Sequence, residues 1–156
     1  MSNYAYVATR ARSRRSRLLP AEAYNQLLNL EHAEIARYIQ DLEYRREIDR
    51  YGSTLSGADL IETALVDNLA KDVGDFLSFS KGKLRDILHV YAEKYRIENL
   101  KNIVRGINQN MDKQNLERLV CPINDSDKEL YNKLYDSKTV EDMISSLEGT
   151  SYYNPL

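Results

Sequence analysis

GADLIETALVDNLAKDVGDFLS, residues 57–78, decides the fold class. Leu60, Ile61, Ala64, Leu65, Leu69, Val73, Phe76 and Leu77 form one apolar stripe at helical spacing. Asp59, Glu62, Asp67 and Lys71 fall away from that stripe. Such a pattern needs a partner surface along its whole length, so it predicts one long amphipathic helix packed on others. Ser56 is a residue type that caps helices, because its hydroxyl can accept an orphan backbone N–H of the first turn.

Downstream, Ser80 is expected to cap a second long helix with Leu84, Ile87, Leu88, Tyr91, Ala92 and Tyr95 on one face. The stripe resumes as Ile97, Leu100, Ile103, Val104 and Ile107, with its phase only roughly kept. That slip predicts a bend or short break near Tyr95–Glu98. A short helix over 112–119 is expected to stop before Cys121-Pro122. Upstream, Tyr4 to Arg15 is compatible with a helix that Leu18-Leu19-Pro20 ends. Pro20 suits the first turn of the next element, where its missing N–H costs nothing. Residues 21–29 and 31–43 read as two short helices carrying Leu27, Leu28, Leu30, Ala33, Ile35, Ala36, Ile39 and Leu42 inward, and 44–55 as a loop. No stretch alternates with period two, so the predicted fold is all-α.

Composition agrees. Of 156 residues 42% are apolar, enough to bury a core, and 3 Pro and 6 Gly leave room for long helices. The net charge of -2 predicts no general affinity for nucleic acid. The charge is uneven, however. Arg10, Arg12, Arg14, Arg15 and Arg17 stand in residues 1–21 without one acid, and the remainder carries 17 basic against 24 acidic residues. One cysteine, Cys121, excludes an internal disulfide and fits a reducing compartment. No stretch approaches the ~20 apolar residues of a membrane span, and the first residues hold no apolar secretion core.

A faint internal repeat runs through the chain. Tyr24-Asn25-Gln26-Leu27 aligns with Tyr131-Asn132-Lys133-Leu134 at an offset of 107 residues, and Ala33-Glu34 aligns with Val140-Glu141. The element order also matches: a short helix, a tight connection and a second short helix. We therefore expect residues 1–122 to be a first helical repeat and 123–156 the opening helix pair of a second. A half-repeat has little of its own to pack against. That predicts a fragment of a longer protein, or an open end that docks on a partner.

The sequence offers little for catalysis. Asp86-Ile87-Leu88-His89 resembles half of a carboxylate-bridged di-iron motif, but the residues around His32 supply no second half. Gly82-Lys83 resembles the end of a phosphate loop, yet no glycine stands five residues before it and no buried strand leads in. Cys121 has no local His partner, and pairs such as Glu141-Asp142 are ordinary on solvated faces. No catalytic residue, metal ligand or cofactor is expected.

Several segments in order over residues 4–156 resemble one family, the C subunit of A-type and V-type rotary ATP synthases, known as the d subunit in the eukaryotic vacuolar enzyme. They are Tyr4-Ala5-Tyr6-Val7-Ala8 with the arginines that follow, Ser16-Arg17-Leu18-Leu19, Phe79-Ser80, and above all Ile97-Glu98-Asn99-Leu100-Lys101-Asn102-Ile103-Val104-Arg105-Gly106. The resemblance implies a funnel-shaped helical protein of three related repeats. It implies a peripheral place on the cytoplasmic face of the membrane, on the ring of proteolipid subunits. It also implies a socket for the central rotor shaft that transmits torque without binding nucleotide. This sequence departs from the family by stopping after about one and a half repeats.

The residues expected to touch ring or shaft subunits are Arg10, Arg14 and Arg17, with Lys101 and Arg105 behind them. The plain reading of all five is pairing with the acidic body of the chain. The rival function is a freestanding helical module that applies the Arg10–Arg17 arm to an anionic partner.

Overall fold

The long helix expected from residue 57 is α5, Gly57–Phe79, in a computed structural model that describes residues 3–153. Among the described residues every regular element is a helix. The others are α1 (Tyr4–Arg15), α2 (Ala21–Leu27), α3 (His32–Gln40), α4 (Arg45–Tyr51), α6 (Lys83–Asn108), α7 (Lys113–Arg118), α8 (Asp125–Leu134) and α9 (Val140–Ser146). The chain divides into two compact units, one up to Asp86 and one from Ile87 onward.

In the first unit α5 buries Leu60, Ala64, Ala70, Val73 and Leu77, a narrower stripe than expected. Leu65 and Leu69 are exposed. Ala36 and Ile39 of α3 and Ile48 of α4 close on Leu60 and Ala64, with Tyr38, Tyr44, Tyr51, Leu55 and Ile61 packed around them. Each fully buried Leu or Ile is worth about 1.5–3 kcal/mol, so this small cluster holds three helices together. Glu31 and Glu34 form a reciprocal capping box that starts α3.

Several expectations fail here for physical reasons. Residues 45–51 form α4 rather than loop, anchored by Ile48 alone among its aliphatic residues; one anchor leaves no periodicity to read. The helix from residue 32 ends at Gln40, and Leu28, Ala33 and Leu42 face solvent, because the neighbours lie against the side carrying Ala36 and Ile39. Ser56 occupies the capping position of α5, but its side chain makes no capping bond. Ser80 does not start α6. It ends α5, is buried, and its hydroxyl has no hydrogen-bond partner among the described residues. The turn between them is made by Gly82 at φ 57°, a left-handed conformation that glycine adopts without strain.

The second unit is organised by α6, which runs unbroken through the predicted bend at 95–98. Its buried residues are Ala92, Arg96, Asn99, Ile103, Gly106 and Ile107. The helical phase is therefore kept, with two polar residues in core positions. Ile87 and Tyr91, assigned inward from the sequence, are exposed. Ile103 and Ile107 pack on Leu116 and Val120, on Tyr131, Leu134 and Tyr135 of the α8 region, and on Met143 and Leu147. Side chains cap the short helices at their first turns: Asp112 accepts from the Asn115 N–H, Asn124 from that of Asp127, and Thr139 from that of Asp142.

Gly106 permits the close approach of α7. A Cβ there would collide with Leu116 Cδ2 and lie 3.3 Å from Leu119 Cδ1 and 3.4 Å from Met111 Sδ. Leu116 is itself buried and cannot swing away. Gly106→Val should lower stability by about 1–3 kcal/mol, the usual cost of overpacking. A urea midpoint unchanged from wild type would show that α7 yields freely.

Candidate functional site

Two polar networks gather the residues singled out from the sequence, one in each unit. In the first, α1 is fastened to the C-terminal end of α5. Only Val7 of α1 is buried, so apolar contact alone is too small to hold this helix. Arg14 spans the gap instead, with Nη1 2.6 Å from Asp72 Oδ1 and Nη2 2.5 Å from Asp75 Oδ2. Its guanidinium also lies 5.1 Å from the centre of the Phe76 ring. Arg10 stacks over Tyr6 and Phe79 at 5.4 and 5.3 Å, and donates to the Tyr6 hydroxyl. Cations are favoured here because α5 ends nearby, with the negative end of its dipole. Burial pushes the Asp72 carboxyl above its ordinary pKa, and the opposing charge of Arg14 does not fully offset this.

Asn3, which carried no signal in the sequence, completes the fastening. Its Nδ2 donates to the Phe79 carbonyl at 2.8 Å and its Oδ1 accepts from the Lys81 N–H at 2.9 Å. Arg17 lies apart and pairs with Glu43 at 3.0 Å, with both side chains about half exposed. Thus Arg10, Arg14 and Arg17 all have intrachain partners, and exposed pairs of the Arg17 type are worth little.

The second network surrounds the Ile97–Gly106 stretch. Lys101 and Arg105 lie on its outer side, where Lys101 pairs with Glu98 at 2.8 Å and Arg105 donates to Asn102 Oδ1 at 3.2 Å. The inner side carries Arg96 and Asn99. Arg96 Nε donates to Asp127 Oδ1 at 2.9 Å, and both side chains are only 9% exposed. Arg96 also pairs with Glu93, which accepts at 2.7 Å from the Tyr152 hydroxyl. Burial lowers the pKa of Arg96, but the Glu93 hydrogen bond and the charges of Asp127 and Glu93 outweigh it and hold the guanidinium above its ordinary value.

Asn99 acts on the backbone. Its Nδ2 donates to the Cys121 carbonyl at 2.9 Å and its Oδ1 accepts from the Cys121 N–H at 3.3 Å. One side-chain amide therefore bonds both backbone polar groups of a residue that lies between helices α7 and α8. Asp127 Oδ2 accepts from the Ile123 N–H two residues further on. Together Arg96, Asn99 and Asp127 lock the 120–124 connection onto α6. Arg96, Asn99, Asp127, Glu93 and Tyr152 are not among the contact residues expected from the sequence, which are Arg10, Arg14, Arg17, Lys101 and Arg105. The available signal was Arg96 and Asn99 standing in phase with Ala92 and Ile103.

These arrangements fasten helices; they activate no nucleophile. His32 is exposed, and His89 is half-buried on α6. Among the described residues no group of three His, Cys, Asp or Glu side chains is placed to hold a metal ion. No described helix is long and apolar enough to cross a membrane.

Comparison with known proteins gives these networks a family context. The profile of the ATP synthase (C/AC39) subunit family matches residues 7–156. The A-type ATP synthase C subunit of Haloferax volcanii is 37% identical over 151 residues, covering 97% of this chain and 43% of its own length. That of Archaeoglobus fulgidus is 35% identical over 153 residues, covering 98% and 44%. That of Methanosarcina acetivorans is 35% identical over 152 residues, covering 97% and 42%. The chain thus spans less than half the length of these relatives. With a profile match over nearly every residue and identities above a third, the chain belongs to the ATP synthase (C/AC39) subunit family.

Proposed function

We propose that this chain is a non-catalytic central-stalk component of a rotary A/V-type ATP synthase. In this reading it couples the rotor shaft to the membrane proteolipid ring, for ion-driven ATP synthesis or ATP-driven ion transport. It sits peripherally on the cytoplasmic face and binds neither nucleotide nor nucleic acid. The observation that carries this is the family match across residues 7–156.

The physical character of the chain supports it. A part that transmits torque needs stiff members and joints that do not slip. α5 and α6, of 23 and 26 residues, are the stiff members. The Arg14 clamp and the Arg96–Asp127 lock are joints in which charge-assisted hydrogen bonds fix orientation as well as distance. We further propose that residues 1–122 form a first repeat and 123–156 the opening pair of a second. In support, α2 ends at Leu27 and α8 at Leu134, which are 107 positions apart. The environments differ all the same, since Tyr24 is exposed and Tyr131 is buried. Arg10, Arg14, Arg17, Lys101 and Arg105 remain the proposed contacts to shaft and ring subunits. They would reach a partner from positions where each already holds an intrachain neighbour.

An N-terminal affinity tag on the chain, expressed in its own cell, tests the reading. Shaft and proteolipid subunits should co-purify from mild detergent in fixed proportion. A preparation free of both would overturn it.

A further inference from the structure

We infer that the outward face of α1 is a docking surface for an acidic helix of a partner protein, gripped by Arg12 and Arg15. This inference rests on the reading above only in placing the chain within an assembly. The five arginines of the arm divide into two sets. Arg10, Arg14 and Arg17 are engaged within the chain. Arg12 and Arg15 are exposed, and their side chains make no hydrogen bond or ion pair to any described residue. They are three positions apart, hence neighbours on one face of the helix.

The same face carries Tyr4, Ala5 and Ala8, all exposed. Its composition selects the partner. Ala5 and Ala8 leave a flat surface on which a second backbone can approach, at the 8–10 Å axial separation of packed helices. Tyr4 offers an exposed ring with a polar tip at one end. At the other end are two planar guanidinium forks that match carboxylates bidentately. No acid stands anywhere on α1 to compete for them. The complement is a helix with Asp or Glu at i and i+3 or i+4. A membrane surface fits less well, because an interfacial helix needs large aliphatic side chains opposite its charges, and this face has only alanines and one tyrosine. The opposite side of α1 is already fastened by Asn3 and Arg14, so the face is presented rigidly. Little ordering entropy remains to be lost on docking.

The test uses the tagged chain in its assembly. A photo-cross-linking amino acid at Ala8 should attach to a peptide of a partner protein that bears acids at helical spacing. The Arg12→Glu/Arg15→Glu double variant should weaken recovery of that partner by at least about tenfold at low salt, with the deficit shrinking at high salt. Its thermal midpoint should stay close to wild type, because neither side chain has a partner among the described residues to lose and acids in the last turn of α1 add only the small dipole cost. If shaft and ring co-purify but Ala8 cross-links only to lipid, to a neutral or basic segment, or to nothing, this inference falls and the assembly reading stands. If nothing co-purifies, both fall. Equal capture of wild type and double variant by vesicles containing anionic lipid, with no protein cross-link, would likewise overturn the acidic-helix partner.

Discussion

Arg96→Ala should destabilise the second unit by about 3–5 kcal/mol, a large share of the stability of a unit of this size. The loss comes from what remains behind. Asp127 is buried, with one carboxylate oxygen on the Ile123 N–H and the other on Arg96 Nε. Without the guanidinium, a buried negative charge keeps only a neutral donor. It must then take up a proton, draw in water or pull the 120–124 connection off α6. Glu93 loses its ionic partner as well, although it keeps the Tyr152 hydroxyl, is more exposed and can turn to solvent. A double variant separates the value of the pair from the penalty of breaking it. Arg96→Met/Asp127→Leu removes both charges and keeps volume, so it should recover to within about 1–2 kcal/mol of wild type. Urea unfolding followed by far-ultraviolet circular dichroism measures both. A single variant within about 1 kcal/mol of wild type would mean the pair is a bystander, about what an exposed ion pair is worth.

This lock also explains where sequence reading ran out. α5 was legible because its buried residues are apolar and its period is clean. α6 was misread as bent because Arg96 and Asn99 occupy core phase, and a reading that counts only apolar residues must insert a break to skip them. α4 was invisible because a single isoleucine gives no period. The exposure of Leu28, Leu42, Ile87 and Tyr91 was beyond local pattern, since it depends on which side the neighbouring helices take. For the candidate site the sequence marked the arginine arm by composition alone. It gave no sign that Arg14 closes on Asp72, 58 residues away, while Arg12 and Arg15 stay unengaged among the described residues. The Ile97–Gly106 stretch stands out in the sequence by its family resemblance, with Lys101 and Arg105 as its expected contacts, yet its anchoring residue is the neutral Asn99.

The chain should lose stability steeply as pH rises above about 10, ahead of any lysine effect on the second unit's core. Three tyrosines of that core carry the expectation. Burial pushes the pKa of Tyr131 up to about 12 against the aid of Asn99, whose amide donates to the hydroxyl oxygen. Burial likewise raises Tyr135. Burial raises Tyr152 too, and so does its hydrogen bond to the Glu93 carboxylate, since ionisation would remove the donated proton and set two anions side by side. In each case the unfolded chain ionises at the ordinary tyrosine value while the folded chain keeps its proton. Below about pH 10 both states are protonated and the shift contributes nothing. Above it the unfolded state binds fewer protons, so stability falls with pH. Each tyrosine contributes about 1.4 kcal/mol per pH unit until its folded value is reached. Two buried tyrosines alone then cost about 2 kcal/mol between about pH 10 and 11, because at pH 10 only about half of the unfolded hydroxyls have ionised. Urea midpoints taken at constant ionic strength from about pH 9 to 11.5 should decline accordingly. Tyr131→Phe should flatten the slope by one tyrosine's share, since phenylalanine keeps the buried ring and has no proton to lose. A flat midpoint through about pH 11, or a Tyr131→Phe curve parallel to wild type, would mean that these hydroxyls reach solvent and that the core closed by α8 and α9 is looser than its packing indicates.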